Sequence, residues 1–200
     1  PKPEEVAQEM AADTEKLRQE TVSQINELKK SEKLKKLELE QLKAGNKAYP
    51  SYLEEARSYL QRRLLEETGK GVDVYILADL LEVKNDQWRN AIEGYLGGNK
   101  LNLVVAPKYA KTALSIYREL DKKKFWNIAV LDTEKAAEYD NDALNGSLAE
   151  EVSVRDAYLK PYMNLLLGKV IKCNTIEELQ ANAIGITPDC LLYHTFRLQY

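Results

Sequence analysis

The chain has 200 residues, enough for one or two domains, and 44% of them are hydrophobic, so it can bury a real core. Its 29 basic and 32 acidic residues leave a net charge of −3, which gives no electrostatic case for tight nucleic-acid binding by the whole chain, though local basic patches stay open. No stretch of about 18 apolar residues is present to span a membrane, and no signal-peptide pattern opens the chain.

The first 48 residues hold no aromatic residue and no Cys, whereas Tyr, Trp and Phe all appear from Tyr49 onward. An extended, solvated element followed by a globular one is expected. Residues from about Pro3 to Ala44 read as one long helix of Glu, Lys, Gln, Leu and Ala. Val6, Met10, Leu17, Ile25, Leu28, Leu34, Leu37 and Leu42 fall near heptad spacing, with Thr14 and Thr21 filling seam positions. Such a stripe buries little alone and calls for a partner helix. The first residue is not Met, so the expectation is a fragment of something longer.

Ala44-Gly45-Asn46 and Pro50 break that helix. A second helix is predicted from Ser51 to Glu67, with Leu53, Ala56, Leu60 and Leu64 on its apolar face beside Tyr59. Glycines at 69 and 71 suit its C-cap and turn. A strand is predicted at Val72–Ala78, then a helix with Asp86 as N-cap and Trp88, Ala91, Ile92 and Tyr95 in line. Gly97-Gly98 stops it, and Leu101–Val105 reads as a strand. Pro107 opens a helix to about Leu120 with Ala110, Leu114 and Tyr117 inward. Phe125–Leu131 reads as a strand, Thr133–Tyr139 as a short helix and Asp140–Gly146 as a loop. Further on come a short helix at Glu177–Asn182 and two strands within Ala183–Arg197, turning at Pro188-Asp189. Strands alternating with helices give an α/β or α+β fold.

Laid over itself, the stretch Leu77–Gly97 matches Leu148–Gly168. Ala78 falls on Ala149, Asp79 on Glu150, Leu81 on Val152, Val83 on Val154, Trp88 on Leu159, Ile92 on Met163 and Gly97 on Gly168. Each copy continues into a β-rich run, Leu101–Val105 or Val170–Cys173. Two copies of one unit imply a pseudo-symmetric domain.

Chemistry-bearing motifs are sparse. No phosphate loop, dinucleotide fingerprint or nucleophile elbow is present. The single His194 sits in an apolar run and reads as structural or surface. Cys173 and Cys190 support neither a disulfide framework nor an all-Cys metal site, and read as small buried hydrophobes in a reducing compartment. The acidic group Asp132, Glu134, Glu138, Asp140 and Asp142 is the one candidate for divalent-metal chemistry, since Asp-x-Asp on a loop supplies hard oxygen ligands. It also has the composition of an ordinary exposed loop. Lys108, Lys111, Arg118, Lys122, Lys123 and Lys124 form a candidate DNA-contact patch or simply a solvated face.

The run Gly71–Ala113, with Trp88-Arg-Asn-Ala-Ile-Glu-Gly-Tyr-Leu-Gly-Gly and Leu103-Val-Val, resembles the first half of an SMC hinge domain. Ser147–Val152, Tyr162–Gly168, Glu177-Glu-Leu and Ala183–Asp189 resemble its second half. The wording around Trp88 looks most like SMC-like ATPases of the bacterial MukB/Wadjet kind. Cys190 stands where the family often has Gly. The resemblance implies a non-catalytic dimerisation hinge without cofactor or resident metal, part of a cytoplasmic, nucleoid-associated ATPase that acts on chromosomes or plasmids. It implies residues 1–68 as coiled-coil arm and connecting helix, and 69–200 as the hinge, with halves near 69–131 and 147–200. It implies a homodimer, a return coil of the same chain along the arm, weak DNA contact at most and no membrane. Candidates for the self-contact are Gly97, Gly98 and the strand residues Leu103, Val104 and Val105. From the second half they are Gly168, Val170, Ile171 and Cys173. A zinc-hook joint is excluded by the missing Cys-x-x-Cys.

Overall fold

The computed structural model describes residues 3–43 and 48–200. The expected break at Ala44-Gly45-Asn46 lies outside them, as does the side chain of Leu42. Two compact units are present, Pro1–Pro50 and Ser51–Tyr200.

In the first unit, α1 runs from Pro3 to Lys43, about 60 Å of helix at 1.5 Å per residue. Its described side chains are all exposed, including Val6, Met10, Leu17, Ile25, Leu28, Leu34 and Leu37. Thr14 and Thr21 donate back to the carbonyls of Met10 and Leu17 at 2.7 Å, which satisfies their hydroxyls without a partner.

The second unit opens with α2 (Ser51–Thr68). Leu53, Ala56, Leu60 and Leu64 recur at helical spacing and are buried. Each of the three leucines contributes about 1.5–3 kcal/mol by leaving water. Gly69, at φ +67°, closes the helix by donating to the Leu65 carbonyl at 2.9 Å. The physical boundary thus falls at Pro50, and α2 packs against α4 (Ala110–Tyr117) within this unit.

The remaining elements are short. They are β1 (Tyr75–Ile76), β2 (Leu81–Val83), α3 (Arg89–Leu96), β3 (Leu103–Val104), α5 (Thr133–Ala137) and β4 (Val152–Val154). Then follow α6 (Lys160–Leu167), β5 (Ile171–Lys172), α7 (Ile176–Gln180), β6 (Ile184–Ile186), β7 (Leu192–His194) and β8 (Arg197–Gln199). Strand β1 pairs antiparallel with β3, β2 antiparallel with β4, and β5–β8 form one sheet in sequence order.

Several expectations are corrected. The apolar run 72–78 makes only a two-residue strand, because Leu77–Leu80 turns into a 3₁₀ segment that buries Leu77 and Leu80. The cap ahead of Trp88 is Asn85, whose side chain accepts from the Gln87 N–H at 3.0 Å, while Asp86 pairs with Arg89. The inner face of α4 is Ala110, Ala113 and Ile116, with Leu114 and Tyr117 half-buried. Phe125–Leu131 is mostly turns and contributes a single bridge at Val130. A third strand, β8, follows a tight Thr195-Phe196 turn. Both turn residues take φ > 0, at +51° and +60°, a conformation rarely adopted by β-branched or bulky side chains and normally signalled by Asn or Gly.

Candidate functional site

The duplication is physical. The 3₁₀ segments Leu77–Leu80 and Leu148–Glu151, strands β2 and β4, the 3₁₀ segments Asp86–Trp88 and Ala157–Leu159, and helices α3 and α6 all begin at the same offset of 71 residues. Leu77 donates to the Asn102 carbonyl at 2.9 Å, and its counterpart Leu148 donates to Val170 at 2.8 Å. Leu103 bridges antiparallel to Ile76 and parallel to Val130. Ile171 bridges antiparallel to Ser147 and parallel to Gly185. Each half is therefore a three-strand unit centred on Leu103 or Ile171.

The halves meet along β2 and β4, where Leu81 faces Val154 and Val83 faces Val152. Outside the strands Lys84 donates to the Glu151 carbonyl at 2.8 Å and Arg155 to that of Leu80 at 2.9 Å, two bonds related by the same offset. Each half also lends a knob to the other's core. Trp88, with Ala91, Ile92 and Leu96 of α3, shares one buried cluster with Leu148, Val170 and Ile186, and its counterpart Leu159 shares another with Leu77, Leu80, Val104 and Leu131. Neither half keeps a complete core alone.

Charged groups line this joint. Lys172 pairs with Glu151 at 2.6 Å and Glu150 at 3.3 Å, and its ammonium lies 5.9 Å from the Trp88 ring centroid. Burial pulls the Lys172 ammonium down, and the Glu151 and Glu150 carboxylates outweigh it, leaving its pKa above the usual lysine value. The Gly146 N–H, donated to Glu150 Oε1 at 2.8 Å, together with Lys172 holds Glu150 below the usual carboxylate range. Across the joint, the Arg155 guanidinium sits 4.2 Å over the Tyr75 ring.

At the far end of each half the two sheets differ. In the second half β6 is covered by β7 and then β8. In the first half the equivalent position, Val130, forms no backbone hydrogen bond on its outer side among the described residues. The outer side of β8 is likewise unpaired among them. Alternation in an antiparallel ladder turns the Leu198 N–H and C=O outward. Close in sequence to these two edges are exposed aromatics: Trp126 at 79%, Phe196 at 94% and Tyr200 at 85% exposure.

The glycines named from sequence differ in setting. A Cβ on Gly97 or Gly98 meets nothing within 4 Å, though Gly97 holds φ +51°. A Cβ on Gly168 would lie 2.3 Å from the Asn164 carbonyl and 3.1 Å from Ala143 Cα. Leu103, Val104, Val105, Val170 and Cys173 are buried in the cores of their halves, and Ile171 is half-buried. Their side chains are thus occupied, and the outward surface at these strands is backbone and strand ends.

Of the basic residues, Lys124 is tied to Glu55 and lies over the Phe125 ring, and Lys108 lies over Tyr109. Lys111, Arg118, Lys122 and Lys123 are exposed or nearly so. In the acidic group Asp132 caps α5 by accepting the Lys135 N–H, and Glu138 takes the Lys135 ammonium at 2.9 Å. No group of three His, Cys, Asp or Glu among the described residues is placed to hold a metal ion. His194 is exposed. No helix among the described residues is long and apolar enough to cross a membrane.

Sequence reasoning missed the β8 edge and Trp126. The positive-φ turn carries no Gly or Asn to announce it, and an exposed Trp in a lysine-rich loop reads as core until its burial is known.

Known proteins agree with this architecture. The profile of the SMC proteins Flexible Hinge Domain matches residues 70–183. The chain is similar to the Pyrococcus furiosus SMC hinge domain, at 21% identity over 74% of this chain and 86% of that one, with a TM-score of 0.51. It is similar to the hinge domain of Geobacillus stearothermophilus SMC, solved as an asymmetric dimer, at 21% identity over 82% and 80%, with a TM-score of 0.50. A P. furiosus hinge with an extended coiled coil aligns at 22% identity over 98% of this chain and 74% of that one, with a TM-score of 0.54. At these identities the structures speak to the fold. No curated protein matches the chain.

Proposed function

The chain belongs to the SMC flexible-hinge family, and on that footing we propose that it joins two copies of an SMC-like ATPase subunit through the free strand edges of its two halves. A hinge is a non-catalytic dimerisation module. By tethering two subunits it raises the effective concentration of their distant ATPase heads.

The observation that carries the edge assignment is the pair of unpaired edges, one per half, at Val130 and at β8. In a two-fold dimer the first half of one copy faces the second half of the other, so the edge-to-edge contact occurs twice, each edge is covered once and none is left to template aggregation. The dimeric Geobacillus hinge supports this reading. Leu103, in the Leu103–Val105 strand, bridges Val130 at the first edge, whereas β5, with Val170–Cys173 and Gly168 just before it, lies three strands from the β8 edge. Gly97 and Gly98 remain candidates for the border of the contact.

The proposed functional division has the arm and connecting helix to residue 68 and the hinge from 69, a reading that the family match over residues 70–183 supports. The exposed apolar seam of α1 supports a partner helix, the return coil of the same chain. The wording from Trp88 to Leu96 supports a MukB/Wadjet-type affiliation, hence a cytoplasmic, nucleoid-associated role on chromosome or plasmid DNA. Lys111, Arg118, Lys122 and Lys123 are the residues of a weak DNA contact. Binding there would fall steeply with salt and would weaken on Lys122→Glu/Lys123→Glu.

Subunit exchange tests the edge assignment. Donor- and acceptor-labelled wild-type populations should develop energy transfer on mixing. Leu198→Pro removes one outward donor and leaves the β7–β8 bonds in place. It should weaken transfer at a given concentration by tenfold or more with the fold intact. Undiminished transfer would place the contact elsewhere.

A further inference from the structure

We propose that Trp126 of one copy and Phe196 of the other are the aromatic anchors that lock the dimer joint. This rests on the edge-to-edge reading above and adds which side chains decide its strength.

Three observations converge. First, Trp126 and Phe196 are among the most exposed large apolar side chains of the second unit, although Trp88, the other tryptophan, is buried. Second, each lies close in sequence to an unpaired edge. Trp126 lies four residues before Val130, and Phe196 directly precedes β8. Third, Phe196 is held at φ +60° beside Thr195 at φ +51°. Strain of this kind is kept where the surroundings over-determine it, yet the Phe196 side chain stays 94% exposed among the described residues.

The occupant is a second copy of this chain, and the area argues for it. Aromatic side chains bury about 150–250 Å² each. Trp126, Phe196 and Tyr200 used from both copies approach 1,000 Å², on the order of the ~1,200–2,000 Å² that stable interfaces bury. Large aromatics also dominate interface energetics.

Phe196→Gly separates the two roles of that residue. Glycine relieves the turn, so the monomer should melt at a higher temperature at concentrations too low to dimerise. The same variant should weaken the dimer at least tenfold. Trp126→Ala should weaken it similarly, and the double variant should be little worse than either single one, because the two act as a pair. In the wild type, tryptophan emission should shift to the blue as concentration rises through the dimerisation range, and this shift should vanish in Trp126→Ala.

Variants Trp126→Ala and Phe196→Gly that dimerise as well as the wild type overturn this proposal alone. A wild type that never dimerises overturns the edge reading with it. Quenching of Trp126 by single-stranded oligonucleotide, with no concentration-dependent shift in its absence, assigns the aromatics to nucleic acid and also overturns the proposal.

Discussion

Glu82 of β2 lies directly opposite Ser153 of β4, its own counterpart in the duplication. A local two-fold axis therefore passes through this pair, and the flanking bonds from Lys84 to Glu151 and from Arg155 to Leu80 obey it. The alternation of an antiparallel ladder makes Glu82 and Ser153 a pair that exchanges both N–H···O bonds. The joint inside one chain has the form of an isologous interface between two protomers.

Ser153→Pro should strike that joint at its centre. It removes a ladder donor and forces φ in a three-residue strand, costing about 3 kcal/mol or more. For a unit of this size the melting temperature should drop by roughly 6–12 °C. Calorimetry checks this, and an unchanged transition would mean that the β2–β4 ladder contributes little.

Cys190→Gly should stabilise the fold. Cys190 holds φ +72°, a region that costs an L-residue about 1–2 kcal/mol and glycine almost nothing. After the entropy that glycine loses on folding, a net gain of roughly 0.5–1 kcal/mol is expected in urea titrations. A loss would mean that the Cys190 side chain contributes packing that outweighs its strain.

The glycines should divide into two classes. Gly168→Ala and Gly185→Ala should each cost about 1–3 kcal/mol. The new Cβ would meet the Asn164 carbonyl at 2.3 Å in the first, and Cys173 Sγ at 2.9 Å in the second. Gly98→Arg enters open space and should leave stability within about 0.5 kcal/mol. If the Gly97-Gly98 face borders the dimer, Gly98→Arg should nevertheless weaken self-association.

Stability should fall at both ends of the pH scale for identifiable reasons. The folded-state pKa of Lys172 lies above its unfolded value, so its contribution is whole below about pH 10.4 and is lost as pH rises through the folded value. Glu150 is shifted down, so its contribution is whole above about pH 4.3 and is lost as pH falls through the folded value. Lys172→Met should flatten the alkaline limb of a pH–stability profile. A limb that survives intact would assign it to other groups.

The arm, α2, the helix behind Trp88 and the offset between the two halves were legible in the sequence, because long periodic apolar patterns survive any packing. The strands were less so. In runs such as Val72–Ala78 and Phe125–Leu131, β-propensity gave way to tertiary packing, which turned Leu77–Leu80 into a 3₁₀ segment and left one bridge at Val130. The exchange of Trp88 and Leu159 between cores was not legible, since periodicity marks a residue as buried without saying in which core. The candidate interface strands are a related case. Leu103–Val105 carry the pattern of a contact surface and of a core strand alike, and burial assigns their side chains to the core.

Sedimentation equilibrium of this 22.8 kDa chain over a wide concentration range tests the central claim most directly. The account predicts a concentration-dependent rise to twice the monomer mass, little changed by salt because the proposed contact is strand pairing and aromatic packing. A strict monomer at the highest concentrations, with the fold intact, would contradict it.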